Sequence, residues 1–505
     1  MDPAKTTIIL GPPGTGKTTK LLDIMDGIMA NGEDPRKICF VAFTRKAANE
    51  AKNRAVEKFN LSADNFPLVR TLHSLAFQQL NSQRGEVMGI RDYITIAKSL
   101  GIYLTARGIN EDGTIVGLSK GDRLLFMDMM SRSRRIPLKE YWEQQPDEDI
   151  RWYELEQLSQ TVSAYKREQG KMDFIDMIYR FVEEAPRTGL ESLIVDEAQD
   201  LSTIQWDMVD VLSQEAERCF VAGDDDQAIF SWAGADVQRF LTLPNHHSIC
   251  LKLSYRCPQP VSELAQSISK RISNRHEKDW MWRDGPGEVQ HVSDLSQVDM
   301  SKGTWLLLAR NIFLLEQLNA HCLQQGHVFD SILGSPIRGA AIAAIIAWED
   351  LRKGHEISAK RVMSIYDMMS SKVSVAHGAK VKVERLPDNQ MLSLSALEKD
   401  YGLLTDKIWH EALDRIEPAE REYFLAALRS GEKLLKEPRI KISTIHGVKG
   451  GEADNVLIIT DMAPRTWKEY HEDPDAEHRV WYVAVTRARE KLFIMQPKTG
   501  MFYAI

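Results

Sequence analysis

Cysteine is scarce in this sequence. The five thiols among 505 residues, Cys39, Cys219, Cys250, Cys257 and Cys322, form no CxxC pair and show no Cys/His spacing suited to zinc. A disulfide scaffold and a zinc-finger module are thereby excluded, and buried reduced thiols are expected. Long apolar runs are missing too: none approaches the roughly eighteen consecutive residues that a bilayer span needs. The N-terminus, MDPAKTTIIL, has no basic segment followed by an apolar signal core, so a chain without a membrane segment, located in the cytoplasm, is predicted. Nor is there a surplus of positive charge, since 64 Lys and Arg stand against 72 Asp and Glu, a net charge of −8. Such a surface does not coat a polyanion non-specifically, and any nucleic acid must bind a local groove. Internal repeats and low-complexity tracts are also lacking. What the chain has is length, which exceeds a single core and predicts three or four structural units.

Two short stretches about 180 residues apart carry the chemistry. GPPGTGKT, Gly11 to Thr18, follows the apolar run Thr7 to Leu10 and precedes a helix-compatible segment. Strand, glycine-rich loop and helix in that order form a phosphate cradle, in which backbone N–H groups and the positive helix end face the phosphates. Gly11, Pro12, Pro13, Gly14, Thr15, Gly16, Lys17, Thr18 and Thr19 would line it, with Lys17 reaching the β and γ oxygens and Thr18 ligating magnesium. LIVDEAQD, Leu193 to Asp200, ends a second buried-strand run, so Asp196 and Glu197 emerge at a strand's carboxyl edge. Asp196 suits a magnesium ligand, and Glu197 suits the base that orients and deprotonates an attacking water. A solvated acidic turn is the plain alternative for DE alone, and the phosphate loop makes it the minor one.

Apolar runs at Thr7 to Leu10, Ile38 to Phe43, Leu193 to Val195 and Cys219 to Ala222, each followed by a loop and a helical pattern, predict a parallel sheet with crossover helices. A second series, Trp305 to Ala309, Val456 to Ile459 and Leu492 to Met495, predicts a second α/β unit. Helical, Met- and Leu-rich sequence between about Ser82 and Gly189 interrupts the first series, and a second, mostly helical stretch from about Ile337 to Lys436 interrupts the second. Within it, KVSVAHGAKVKV, Lys372 to Val383, alternates apolar and polar residues around His377 and Gly378 and predicts a hairpin. The basic cluster SRSRR, Ser131 to Arg135, reads as a solvated face or loop rather than a phosphate contact.

Further motifs follow in a fixed order: VAFTRKAANEAKNR from Val41, TLHSLAF from Thr71, MDFIDMI from Met172, GDDDQAIFSW from Gly223, SYR from Ser254, STIHGVKGGEADNV from Ser443 and VAVTRARE from Val483. The ordered set, spread from about residue 5 to residue 496, resembles the UvrD/Rep family of superfamily 1 DNA helicases. The resemblance implies an α/β fold with two RecA-like parallel-sheet motor domains, each bearing a mainly helical insertion. Residues 1–81 and 190–255 would form the first motor domain and 82–189 its insertion; 256–336 and 437–505 would form the second and 337–436 a reduced insertion. It also implies ATP and Mg2+ as cofactors, with ATP in a cleft between the motor halves. Lys17, Glu197, Gln227, Arg256 and Arg487 become catalytic, as loop lysine, base, γ-phosphate sensor and two arginine fingers. Tyr255 would stack on the nucleotide base and Glu452 would contact the ribose. For DNA, the pattern points to Phe43, Thr44, Arg45, His73, Phe230, Trp232, Thr444 and His446. Phe43 ends an apolar strand, which suits a core side chain equally well.

The implied activity is that of a DNA-dependent ATPase: a 3′ to 5′ DNA helicase and single-strand translocase acting on single strands and single/double-strand junctions. No protein partner is indicated. Some family features differ. Only ten residues precede Gly11, so the family's adenine-reading glutamine segment is expected to be absent, and Thr19 stands where an arginine is usual. Ala233 replaces a frequent arginine and Phe230 a common tyrosine. Selectivity for ATP and coupling to DNA are therefore open. The tail QPKTGMFYAI offers Phe502 or Tyr503 as a stub wedge, or else a frayed end. Two rival readings remain: a translocase that strips bound proteins with little unwinding, and a nucleotide-gated DNA clamp without turnover.

Overall fold

The computed structural model describes residues 1–505 apart from 43, 106–118, 146, 337–338 and 433–436. Chain contacts divide it into two compact units, Met1–Pro286 with Tyr470–Thr486, and Gly287–Glu469 with Arg487–Ile505. The sequence-based boundary lay at 255/256. In the structure, the strand bearing Arg256 and the helix Pro474–Val485 both belong to the first unit.

The first unit is built on six short strands, β1 (Thr6–Leu10), β2 (Ile38–Val41), β3 (Val69–Arg70), β4 (Ser192–Val195), β5 (Arg218–Gly223) and β6 (His247–Cys250). All pairs are parallel, in the order β3-β2-β4-β5-β1-β6. Runs such as ICFV and SLIV are buried at every position because helices cover both faces of the sheet. Side chains alternate across it: Ile9 and Phe40 meet Leu21 and Met25 of the helix Lys17–Ala30. Ile8, Leu10 and Val41 face the other way, against Leu75, Phe181 and Trp206. The loops that follow β1, β4 and β5 emerge together at the carboxyl ends of adjacent strands, where open α/β sheets bind ligands.

Helices Ile90–Ser99, Lys120–Ser133, Leu138–Gln144 and Trp152–Gln169 close around Leu124, Leu125, Met130, Leu155 and Leu158 as a separate helical core. The helix Phe174–Glu184 contributes Met177, Ile178 and Phe181 to the sheet's core instead. The basic cluster at residues 131–135 is not a solvated face. Arg132 is gripped by Asp128, Asp173 and Asp176, Arg135 pairs with Asp207, and Arg134 donates to the Ser231 carbonyl. A pattern of like charges along the chain cannot reveal the acids that two other segments bring to it. Still within this unit, β7 (Leu253–Pro258) pairs in parallel with β8 (Met281–Arg283), and the helix Gln259–Ser269 lies along Pro474–Val485.

The second unit repeats the architecture with β9 (Glu288–Val292), β10 (Trp305–Ala309), β11 (Phe329–Ser331), β14 (Ile440–Thr444), β15 (Ala453–Ile459) and β16 (Ala488–Met495). These are again all parallel, in the order β11-β14-β10-β15-β16-β9. The residues between β11 and β14 carry a second helical core around Trp348, Tyr366 and Phe424, with a small antiparallel pair, β12 (Ile357–Ser358) and β13 (Met391–Leu392). The hairpin expected at Lys372 to Val383 does not form. Val375 makes isolated bridges to Ser371 and Leu403, Gly378 takes the left-handed conformation at φ 77°, and Ala379–Glu384 is a helix. Alternation and helical spacing coincide in this segment, and burial of Ala379 and Val383, four residues apart, in the helical core decides for the helix. Tyr503 is buried, its N–H donates to the Thr460 carbonyl, and the Phe502 backbone bridges Asp461, so residues 502 and 503 do not fray and Tyr503 does not project as a wedge. Among the described residues no helix is long and apolar enough to cross a membrane.

Candidate nucleotide and nucleic-acid sites

The loop between β1 and the helix Lys17–Ala30 turns through two left-handed glycines, Gly14 at φ 75° and Gly16 at φ 78°. Crowding adds to the backbone requirement. A Cβ on Gly14 would stand 2.4 Å from the Arg256 Cβ, and one on Gly11 would stand 2.4 Å from the Thr15 hydroxyl oxygen. Lys17 is buried, and its ammonium folds back to donate to the Gly11 carbonyl at 2.8 Å. A lysine bridging its own loop in this way sits where phosphate oxygens would be held.

Thr18 Oγ1 donates to Asp196 Oδ2 at 2.6 Å, joining the helix start to the end of β4. Burial, and after it the Glu197 charge, push the Asp196 carboxyl up to about 6, against the opposing pull of the Thr18 hydroxyl and the Lys17 ammonium. A buried carboxylate beside a hydroxyl, with no cation of its own within ion-pair reach among the described residues, fits a divalent cation shared by Thr18 and Asp196. The cradle and this donor pair together suit a magnesium-bound triphosphate.

Glu197 has left-handed backbone, φ 53° and ψ 42°, uncommon for a residue with a side chain. The turn aims its carboxylate at Gln199, whose Nε2 donates to Glu197 Oε2 at 2.5 Å. Gln199 is wholly buried and its Oε1 accepts from the Asp224 N–H at 3.0 Å, so one amide ties the loop after β4 to the loop after β5. That role was missed in the sequence, where the only signal was a glutamine inside DEAQD. Gln227 lies in the second of these loops, and its Nε2 donates to Asp224 Oδ2 at 2.8 Å.

The SYR segment joins the same place from the far side. Ser254 Oγ donates to the Pro13 carbonyl and the Tyr255 N–H to the Gly14 carbonyl, each at 2.8 Å. Tyr255 is 69% exposed beside the loop, as a base-stacking side chain requires. The Arg256 guanidinium donates to the Thr486 carbonyl at 3.4 Å. The first unit therefore brings Lys17, Thr18, Tyr255 and Arg256 together at the glycine loop, ties Asp196 to Thr18, and joins Glu197 through Gln199 to the loop that bears Gln227. In the second unit, Arg487 is buried and donates to the Gly451 carbonyl at 3.2 Å, while Glu452 pairs with Arg489 at 3.1 Å.

The family model described as the UvrD/REP helicase N-terminal domain matches residues 2–248, and that of the UvrD-like helicase C-terminal domain matches residues 411–499. The chain belongs to the UvrD/Rep helicase family. It is 26% identical to an ATP-dependent DNA helicase PcrA of Leuconostoc citreum, over 98% of this chain and 80% of that protein. It is also 26% identical to the ATP-dependent DNA helicase Rep of Buchnera aphidicola and 25% identical to DNA helicase II of Escherichia coli, but spans only 41% of the length of each.

The residues that the UvrD/Rep pattern assigns to DNA are distributed as follows. Phe43 lies outside the described residues. Thr44 caps the helix Arg45–Phe59, its hydroxyl accepting from the Ala47 N–H, and Arg45 is exposed at that helix's first turn. His73 packs edge-on against Phe174 with ring centroids 5.5 Å apart. His73 and Phe230 line one small cavity together with Met130, Ser133, Ile178 and Ala233. Trp232 is 41% exposed and stacks on Phe126 of the helical insertion, centroids 6.3 Å apart. Arg134 grips the Ser231 carbonyl between the two aromatics, a positioning contact that the sequence did not announce. In the second unit Thr444 ends β14, its Oγ1 accepts from the Gly447 N–H at 3.2 Å, and His446 opens the next short turn of helix.

Proposed function

We propose that this chain is an ATP-dependent DNA helicase that moves 3′ to 5′ along single-stranded DNA. The observation that carries the reading is the packing of Lys17 and Arg256 on one glycine loop, with Thr18 bonded to Asp196 and Gln199 tying Glu197 to the loop that bears Gln227. Lys17 and the loop amides bind the β- and γ-phosphates. Thr18 and Asp196 hold Mg2+, which neutralises phosphate charge when bound. Glu197 takes the proton of the attacking water, Gln227 orients that water, and Arg256 and Arg487 stabilise charge on the γ-phosphoryl group. Tyr255 stacks on the base and Glu452 meets the ribose. Phe43, Thr44, Arg45, His73, Phe230, Trp232, Thr444 and His446 hold the strand. Aromatic faces grip any base, at about 1–3 kcal/mol each, so the strand is bound without being read.

Phosphate release by the purified chain, with and without a single-stranded oligonucleotide, tests turnover. Strand displacement from duplexes with a 3′ or a 5′ tail tests direction. Stimulated release with preference for the 3′ tail is expected. Absence of release with intact nucleotide binding would favour the clamp. A second reading, translocation with little unwinding, is favoured by the burial of Tyr503, which takes that ring out of play as a wedge. Protein displacement from a single strand, measured beside strand displacement, separates the two.

A further inference from the structure

Behind the loop after β5 lies a buried ammonium that the proposed reaction does not use. Lys278 has a side chain with no exposed area, and its Nζ stands 3.0 Å from Asp224, 2.5 Å from Asp225 and 3.1 Å from Asp226. Three consecutive carboxylates turned inward would repel one another, and this cation, with Arg275, lets them share a tight turn. Arg275 takes Asp226 in a two-pronged grip at 2.8 and 2.6 Å. From the helix Pro474–Val485, Arg479 donates to the Asp225 carbonyl at 2.9 Å, and the His276 N–H donates to the Asp225 carboxylate at the same distance.

The two oxygens of Asp224 have different partners. Oδ1 faces Lys278, while Oδ2 accepts the Gln227 amide at 2.8 Å. The Asp224 backbone N–H is held by Gln199, the amide that also donates to Glu197. A single buried carboxylate thus stands between Lys278 and Gln227, while the link toward Glu197 runs through the backbone of the same residue. Although burial pushes it up, Lys278 and then Lys17 hold the Asp224 carboxyl below its ordinary value, so it stays an acceptor. An amide whose nitrogen is committed to a carboxylate keeps one orientation, with its oxygen at the opposite end.

The geometry points to Lys278 as a positioning residue for hydrolysis: by anchoring the Asp224 carboxylate, it fixes the orientation of Gln227. This rests on the reading of Gln227 as a group that orients the attacking water. Lys278 touches no substrate, so its loss acts on the rate of the chemical step and leaves nucleotide binding alone.

The test is a double-mutant cycle on the full chain, with ATP turnover read at saturating single-stranded oligonucleotide and folding read by thermal melting. Lys278→Met is expected to lower kcat tenfold or more, with KM for ATP within threefold of the parent. In a Gln227→Ala background the same change should cost less than a further twofold, because the orientation it protects is already gone. Asp224→Ala, which leaves Lys278 paired with Asp225 and Asp226, must reproduce the kcat loss and secures the test if Lys278→Met does not fold. Lys278→Met/Asp225→Asn, which removes the ammonium and one carboxylate together, gives a second folded route. Wild-type kcat in Asp224→Ala or in any folded Lys278 variant overturns the proposal, as do equal losses in the two backgrounds. Wild-type turnover in Gln227→Ala alone instead refutes the catalytic assignment of Gln227.

Discussion

Asp173 opens the helix Phe174–Glu184 and is almost wholly buried, yet it carries a full charge. Its Oδ1 accepts from the Asp176 N–H at 2.9 Å as a helix cap and from Arg132 at 3.1 Å; its Oδ2 takes Arg132 again at 2.7 Å and the Lys166 ammonium. Asp173→Ala removes both functions. Loss of a cap costs about 1 kcal/mol. Breaking a buried ion pair from one side costs about 3–5 kcal/mol. Here the lower end applies, because Arg132 keeps Asp128 and Asp176 and Lys166 keeps Asp176. Asp173→Ala should therefore destabilise this region by about 4 kcal/mol, and Asp173→Asn, which still caps, by about 3 kcal/mol. Native-state hydrogen exchange of the amides of Phe174–Glu184 and Lys120–Ser133 reads the local opening energy directly, and about 3 kcal/mol corresponds to roughly a hundredfold faster exchange. The pH dependence has a definite sign. Burial opposes the charge, but Arg132 and then Lys166 hold the Asp173 carboxyl well below its ordinary 3.8. Its contribution is thus fully present above that value and is lost as pH falls below it. Asp176, pushed up by burial and then by the Asp173 charge, titrates in the opposite sense above 3.8, so the comparison is cleanest well above the carboxylate range. Opening energies for both variants within 0.5 kcal/mol of the parent (about a twofold change in rate) would refute the reasoning, and equal values for Ala and Asn would refute the capping part.

Glu197→Gln should lower ATP turnover by at least about a hundredfold, the usual weight of a general base, while a fluorescent nucleotide still binds; near-normal phosphate release would remove Glu197 from that role. Gly14→Ala forces a side chain into left-handed backbone 2.4 Å from the Arg256 Cβ, so KM for ATP should rise more than tenfold with melting of the rest unchanged, and an unaltered KM would contradict the packing of SYR on the loop. Trp232→Ala should weaken binding of a single-stranded oligonucleotide by about 1–3 kcal/mol, measured by anisotropy, and equal affinity would show that the exposed indole is not a stacking surface. In the second unit, Trp348→Ala should cost about 3–5 kcal/mol of local stability by opening a cavity in the helical core, since its ring is fully buried and its Nε1 donates to the Lys407 carbonyl at 3.0 Å.

Residue order alone determined the two parallel sheets and the phosphate loop, because both are local grammar: short β-branched runs, glycines and a following helix define a strand, a cradle and a dipole without reference to distant residues. The DEAQD carboxylates were legible for the same reason, since a strand's end places them at the sheet's edge. What only the tertiary structure decided are pairings between segments far apart in sequence. Arg132 and its neighbours read as a solvated basic cluster until Asp173, Asp176 and Asp207 were brought to them. KVSVAHGAKVKV fits two periods at once, and the helical core around Ala379 and Val383 selected one. Lys278 carried no signal at all, being a single lysine among charged residues, and acquired its place when three aspartates 52–54 positions earlier closed around it. A buried charge is defined by what surrounds it, and the surroundings are assembled only when the chain folds.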